Sequence, residues 1–117
     1  MKAYVIMNEQ YVILKQQRDI LNATFSDWEF VKVPASGWTK GECKGVILHL
    51  TDRSNSPDDC IVFVSPVPLA IGYACKLEWN VGIFHNDQRE AKEIPDGQGG
   101  TKVIHTVSPN GWKLVFV

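Results

Sequence analysis

Three short segments carry side chains that can do chemistry, and each comes directly after a strand-like apolar run. His85-Asn86-Asp87 closes the run Val81–Phe84. A histidine takes up or releases a proton near neutrality, and an aspartate beside it can orient it or hold a divalent cation. Residues two apart share one side of a strand, so His85 and Asp87 are expected together, with Asn86 on the opposite side. The plainer reading is a strand end turning into a loop, for which Asn-Asp is ordinary chemistry. Ser65-Pro66-Val67-Pro68 comes after the run Cys60–Val64. With Ser65 as N-cap, both prolines fall in the first turn of a helix, where a missing N–H costs little. The Ser65 hydroxyl and the free N–H groups there make an anion site. The two prolines remove donors from a phosphate cradle but stiffen the turn for contact with a flat base or ribose. A helix entrance shaped only for packing is the alternative.

The third segment is Ser36-Gly37-Trp38-Thr39, after the run Trp28–Val33. An exposed Trp38 can stack on a base, whereas a Trp38 folded over the sheet edge would be core. Thr39 can cap a short segment containing Lys40 and Lys44, with Glu42 at the capping-box position. A further group, His49 with Asp52 and Arg53, reads more simply as a solvated surface. If the three turns share one sheet edge, they form a ligand site. Ser65 would contact phosphate or ribose, Trp38 would stack, Thr39, Pro66, Pro68 and Asn86 would line it, and His85 and Asp87 would be the catalytic pair. Cleavage of RNA by in-line attack of a ribose 2′-OH needs only positioning and a general acid or base. No metal or cofactor is called for. The chain has no GxGxxG, GxxxxGK[ST], HExxH or GxSxG motif and no metal-spaced Cys/His set, which argues against dinucleotide enzymes, P-loop NTPases, zinc proteases and serine hydrolases of ordinary type.

The rest of the composition sets limits on these readings. The chain has 117 residues, 44% apolar and 21% charged, with a formal net charge of −1. That length suits one α/β domain over residues 1–117, and that charge creates no bulk field toward nucleic acid or anionic lipid. The apolar runs are too short to cross a bilayer, and the N-terminus lacks the apolar core and small-residue cleavage site of a signal peptide. No membrane association is expected, and the cytoplasm is the expected compartment. Cys43, Cys60 and Cys75 are odd in number and widely spaced, and they read as buried, inert thiols.

Strands are predicted at about 2–7, 28–33, 60–64 and 81–85 in one sheet, from short apolar runs bounded by turn residues. Tyr11, Leu14, Leu21 and Phe25 recur at helical spacing, which predicts a helix over 9–25 capped by Asn8 with Glu9 in its first turn. A second helix is predicted over 66–78, with Leu69, Tyr73 and Leu77 on one stripe and Gly72 allowing close approach to the sheet. Gly45–Leu50 suits either a strand or a buried helix. Thr51–Asp59 is polar and turn-rich, and Arg89–Gly100 is polar with a glycine-rich end. Thr101–Val107 and Trp112–Val117 are predicted to pair as a hairpin through Asn110-Gly111, with Gly111 at positive φ. The fold class is therefore α/β: a single Rossmann-like domain with a mainly parallel sheet flanked by helices and a C-terminal antiparallel hairpin. The alternative is an α+β sandwich with helices on one face only, and residues 45–50 decide between the two.

The segment from Cys60 to Asp87 is an apolar strand, then PVPLA, a short helix with a cysteine inside it, and a strand ending in His85. It resembles part of certain small CRISPR-associated proteins of Rossmann-like fold, whose relatives include sensors and ring nucleases for cyclic oligoadenylate. The resemblance spans about a quarter of the chain and implies a nucleotide or cyclic oligonucleotide as ligand. The other expectation is a non-catalytic interaction or accessory protein, phage or defence related. Its four Trp residues would serve as interface anchors, and a homodimer would be one form of it.

Overall fold

The computed structural model describes all residues, Met1–Val117. Strand β1 is Lys2–Asn8, and its residues from Ala3 to Met7 are all buried. Apolar side chains on both sides of a strand demand cover on both faces of the sheet. Helix α1 (Lys15–Thr24) supplies it on one face, through Leu21 and the adjoining Phe25. Strand β2 (Asp27–Val33) returns parallel to β1, and helix α2 (Lys40–Arg53) leads to strand β3 (Cys60–Phe63), wholly buried. Helix α3 (Pro68–Lys76) and strand β4 (Asn80–Asn86) complete the parallel part. Two further strands, β5 (Arg89–Pro95) and β6 (Thr101–Val107), pair only with each other, and β7 (Trp112–Phe116) rejoins the main sheet. The sheet order is β2-β1-β3-β4-β7, with β7 antiparallel to β4.

The strand order explains where the helices lie. From β1 the chain steps one way to β2, then back past β1 to β3 and on to β4. Right-handed crossovers in opposite directions put their helices on opposite faces. Accordingly Leu21 and Phe25 pack with Ala3, Val5, Val62 and Phe84 on one face. Cys43, Ile47, Leu50, Ala70 and Ala74 pack with Tyr4, Ile6, Ile61 and Phe63 on the other. Residues 45–50 are helical, so the sheet is covered on both faces and the one-sided sandwich is excluded. Thr39 caps α2 as expected: its Oγ1 accepts the Glu42 N–H at 3.2 Å, and Glu42 Oε1 accepts the Thr39 N–H at 3.0 Å. No helix is long and apolar enough to cross a membrane.

Several expectations are corrected. Helix α1 begins at Lys15, not Glu9. Asn8 does not cap it, because its Oδ1 accepts the Gln10 N–H in a local turn and its carbonyl accepts the Tyr11 N–H. Glu9 instead accepts the Ala35 N–H at 2.8 Å, tying two loops, and Gln17 Oε1 reaches back to the Leu14 N–H. Helix α3 begins at Pro68 with Val67 as cap, so Ser65 is not its N-cap and Pro66 lies outside it. The buried stripe of α3 is Ala70 and Ala74, while Leu69 and Leu77 are half exposed and Gly72 faces solvent. Small alanines, rather than the glycine, allow the helix close to the sheet. Cys43 and Cys60 are buried, but Cys75 is exposed.

The C-terminal hairpin is also rearranged. Thr101–Val107 pairs with Arg89–Pro95, and Trp112–Phe116 pairs with β4. The β5–β6 turn is the glycine-rich Asp96–Gly100, with Gly97 and Gly99 at φ +81° and +85° and Asp96 Oδ1 accepting the Gln98 and Gly100 N–H groups. Gly111 is not among the positive-φ residues. It is glycine for another reason: a Cβ there would lie 2.6 Å from Asn86 Oδ1 and 2.7 Å from Gln88 Cβ. The β5–β6 pair projects from the sheet as an arm. It gives the molecule extents of 58 × 32 × 21 Å and a radius of gyration of 16.8 Å, against about 13 Å for a compact chain of this length.

Candidate functional site

The four parallel strands end at Asn8, Val33, Phe63 and Asn86, so the loops after them share one sheet edge. All three sequence-predicted segments lie on it. Ser65 comes after β3, next to β1, and its Oγ accepts the Asn8 N–H at 2.9 Å. The hydroxyl thus closes the gap between two neighbouring strand ends. Pro66 and Pro68 are exposed beside it. Thr39 is exposed, with its oxygen spent on capping α2. Trp38 is half-buried against the cluster formed by α2 and α3, which leaves less of its ring for stacking. With strands about 4.8 Å apart, the β2 loop is about 10 Å from β3 and about 14 Å from β4.

Alternation along β4 sets the third segment. Ile83 packs toward α2 and α3 and Phe84 toward α1, so His85 and Asp87 fall on the first side and Asn86 on the second. His85 is exposed and lies opposite Lys113 of β7. Asp87 is ion-paired with the Lys113 ammonium. That hydrogen bond, with the lysine charge and His85 nearby, holds the Asp87 carboxyl below its ordinary value. Asn86 is buried and fully engaged: its Nδ2 donates to the Ser108 carbonyl at 2.6 Å and its Oδ1 accepts the Gln88 N–H at 3.0 Å. It clamps the base of the arm.

His49, Asp52 and Arg53 lie on α2 and do not join this edge. Arg53 pairs with Glu29 at 2.8 Å and lies over the Tyr4 ring. No three His, Cys, Asp or Glu side chains are gathered where they could hold a metal ion.

Sequence reasoning missed two features. A cleft of about 470 Å³ lies at the opposite edge of the sheet, where Ser54, Asn55 and Asp59 face Glu78 and Trp79. Asp59 is buried there. Burial alone would raise its pKa, but hydrogen bonds from the Ser54 hydroxyl and the Lys2 and Asn55 N–H groups outweigh it and hold the carboxyl below its ordinary value. Glu78 has φ 63°, a left-handed conformation that ends α3 by hydrogen bonds from Glu78 N–H to Cys75 and from Trp79 N–H to Ala74. The other missed feature is a pair of buried donors without partners, Gln17 Nε2 and Trp112 Nε1, where α1 meets β7. A glutamine at an inward helix position between Leu14 and Leu21 was the available signal, and a longer expected helix concealed it.

Comparison with protein-family models, with curated proteins and with solved structures returns no match.

Proposed function

We propose that this protein works by contact, as a non-catalytic interaction module that presents the β5–β6 arm to a partner. The arm is the observation that carries this reading. Cross-strand pairing puts Ala91, Pro95, Val103 and Val107 on one face of it, with Arg89 opposite Val107 and Glu93 opposite Val103, and Val103 and Val107 are 57% and 44% exposed. No other element packs extensively on either strand. A two-stranded ribbon is marginally stable alone in water, so a surface that covers Val103 and Val107 and pairs with the charges beside them adds stability to both sides of the contact. Its charges nearly balance, with Arg89, Lys92 and Lys102 against Glu90, Glu93 and Asp96, which suits a protein surface better than a nucleic acid backbone. A photo-crosslinking residue in place of Val103 is expected to capture one partner in the native cell. The pair Val103→Lys and Val107→Lys is expected to abolish association with that partner at unchanged melting temperature. A partner retained by the double variant would refute the arm as the contact surface.

A second reading has its own observation. The strand order reverses between β1 and β3, and open α/β sheets take ligands in the crevice at such a reversal. A Rossmann-like arrangement and kinship with small CRISPR-associated proteins belong to this reading, with a nucleotide near Ser65 and proton transfer by His85. It predicts binding of cyclic or linear oligoadenylate that Ser65→Ala weakens, and turnover that His85→Ala lowers far more than binding. Absence of binding by the wild type leaves the contact reading alone.

A further inference from the structure

We infer that strand β7 is a self-complementary edge through which two copies of this chain join their sheets. The two open edges of the sheet differ in chemistry. Strand β2 carries Asp27, Glu29 and Lys32, and Lys2 sits between Asp27 and Glu29. Charges of this kind keep an edge from pairing with another chain. Strand β7 and the residue after it read Trp-Lys-Leu-Val-Phe-Val. Their one charged side chain, Lys113, is tied to Asp87. Val115, Phe116 and Val117 are 41%, 50% and 67% exposed. No proline interrupts this edge, and helix α1 meets it only at the side, through Gln16 at the Trp112 N–H and through the adjoining Phe25 against the Phe116 ring.

The hydrogen-bond pattern says which register a second copy would take. Val117 N–H donates to the Val81 carbonyl, and Ile83 lies opposite Val115. In an antiparallel pair both backbone groups of a residue point the same way, and successive residues alternate. Lys113, Val115 and Val117 therefore face β4, while Trp112, Leu114 and Phe116 face outward. Trp112 N–H is already taken by Gln16 Oε1 at 3.0 Å. The free outward groups are those of Leu114 and Phe116. A two-fold axis at Val115 pairs Leu114 of each copy with Phe116 of the other and makes four backbone hydrogen bonds. On the α1 side it sets Leu114 against Phe116. On the other side it sets Val115 against Val115 and Lys113 against Val117, so no like charges face each other. A register centred on Leu114 would instead ask for the Trp112 N–H that Gln16 holds. The favoured register satisfies the edge with the chain's own sequence, which is why the occupant is a second copy, related by the two-fold of an isologous contact. This inference does not depend on the arm.

Charge swapping at the axis tests it. Wild type is expected to sediment at twice 13.1 kDa. Val115→Lys and Val115→Glu, each confirmed as folded by circular dichroism, are expected to sediment as monomers, because each sets like charges directly opposite. Their equimolar mixture is expected to regain the dimer mass. The register is tested in a Cys75→Ser background, since Cys75 is exposed. Val115→Cys is expected to oxidise to a covalent dimer, because facing residues outside the hydrogen-bonded pairs have Cα atoms about 4.5 Å apart. Val117→Cys, opposite Lys113, is expected not to. A monomeric wild type would overturn the inference, as would dimers of both single variants. A dimer lost only with Val103→Lys and Val107→Lys would place self-association on the arm and overturn it as well.

Discussion

Gly111 is held by crowding rather than by a turn. A methyl group there meets Asn86 Oδ1 and Gln88 Cβ inside van der Waals contact, and Asn86 cannot yield without releasing the Ser108 carbonyl. Gly111→Ala is therefore expected to cost about 1 kcal/mol or more of stability in a urea titration. An unmoved midpoint would mean that the clamp gives way freely. Asp59 makes the acid side of the stability curve readable. Its folded pKa lies below the ordinary value, so its contribution is full above about pH 4 and is lost as pH falls through the folded value. Asp59→Asn is expected to flatten that acid limb, and melting curves between pH 2 and pH 6, as a rough window set by ordinary carboxylate values, check it. Asp87 shares the direction of shift, but it is exposed and screened, so it carries little of that limb.

At the scale of elements, the two ends of the helices on the α2–α3 face give opposite expectations. Thr39→Ala removes the acceptor for the Glu42 N–H and is expected to cost about 1 kcal/mol. Glu78→Gly relieves a left-handed residue at the end of α3 and is expected to stabilise by a few tenths to about 1 kcal/mol. Denaturant midpoints of both variants decide the signs. The capping box at Thr39 was legible because side chain and partner are three residues apart. The start of α1 was not, because Asn8 and Glu9 are helix-start residues in isolation. Here they bond to Gln10 and to Ala35, and Ala35 is brought close only by the pairing of β1 with β2. Local preference lost to a contact 26 residues away.

The whole molecule divides into a doubly covered sheet and a projecting arm. Ser108 N–H donates to the Gln88 carbonyl at 3.1 Å, so the two feet of the arm are adjacent. Replacing Arg89–Val107 with Asn-Gly, the residues of a tight primed turn, is expected to leave the melting transition of the sheet intact. In the monomeric Val115→Lys background the radius of gyration in solution is expected to fall from 16.8 Å toward about 13 Å. Loss of the cooperative transition would mean that the arm is part of the core. In the intact chain the amides of β5 and β6 are expected to exchange faster than those of β1 and β3, because little but their own ladder protects them.

Apart from residues 45–50, which suited a strand as well as a helix, the order of strands and helices in the first 86 residues was present in the sequence, because apolar runs and periodic stripes are local consequences of a sheet buried on both faces. Val5, Ile61 and Val62 announce their own environment. So do the capping pair at Thr39 and the turn residues after each strand, and these brought Trp38, Ser65 and His85 to one edge. Only the tertiary structure decided what those side chains are occupied with. Ser65 is bonded to Asn8, Asn86 to Ser108, Asp87 to Lys113, and Trp38 lies against the core. Each partner is distant in sequence, and no spacing rule reports it. The C-terminal third shows the same limit. Arg89–Pro95 is exposed on both faces and has no apolar alternation to mark it as a strand. Thr101–Val107 and Trp112–Phe116 could each pair with more than one strand, and their observed partners, Arg89–Pro95 and β4, are named by no local signal in the sequence.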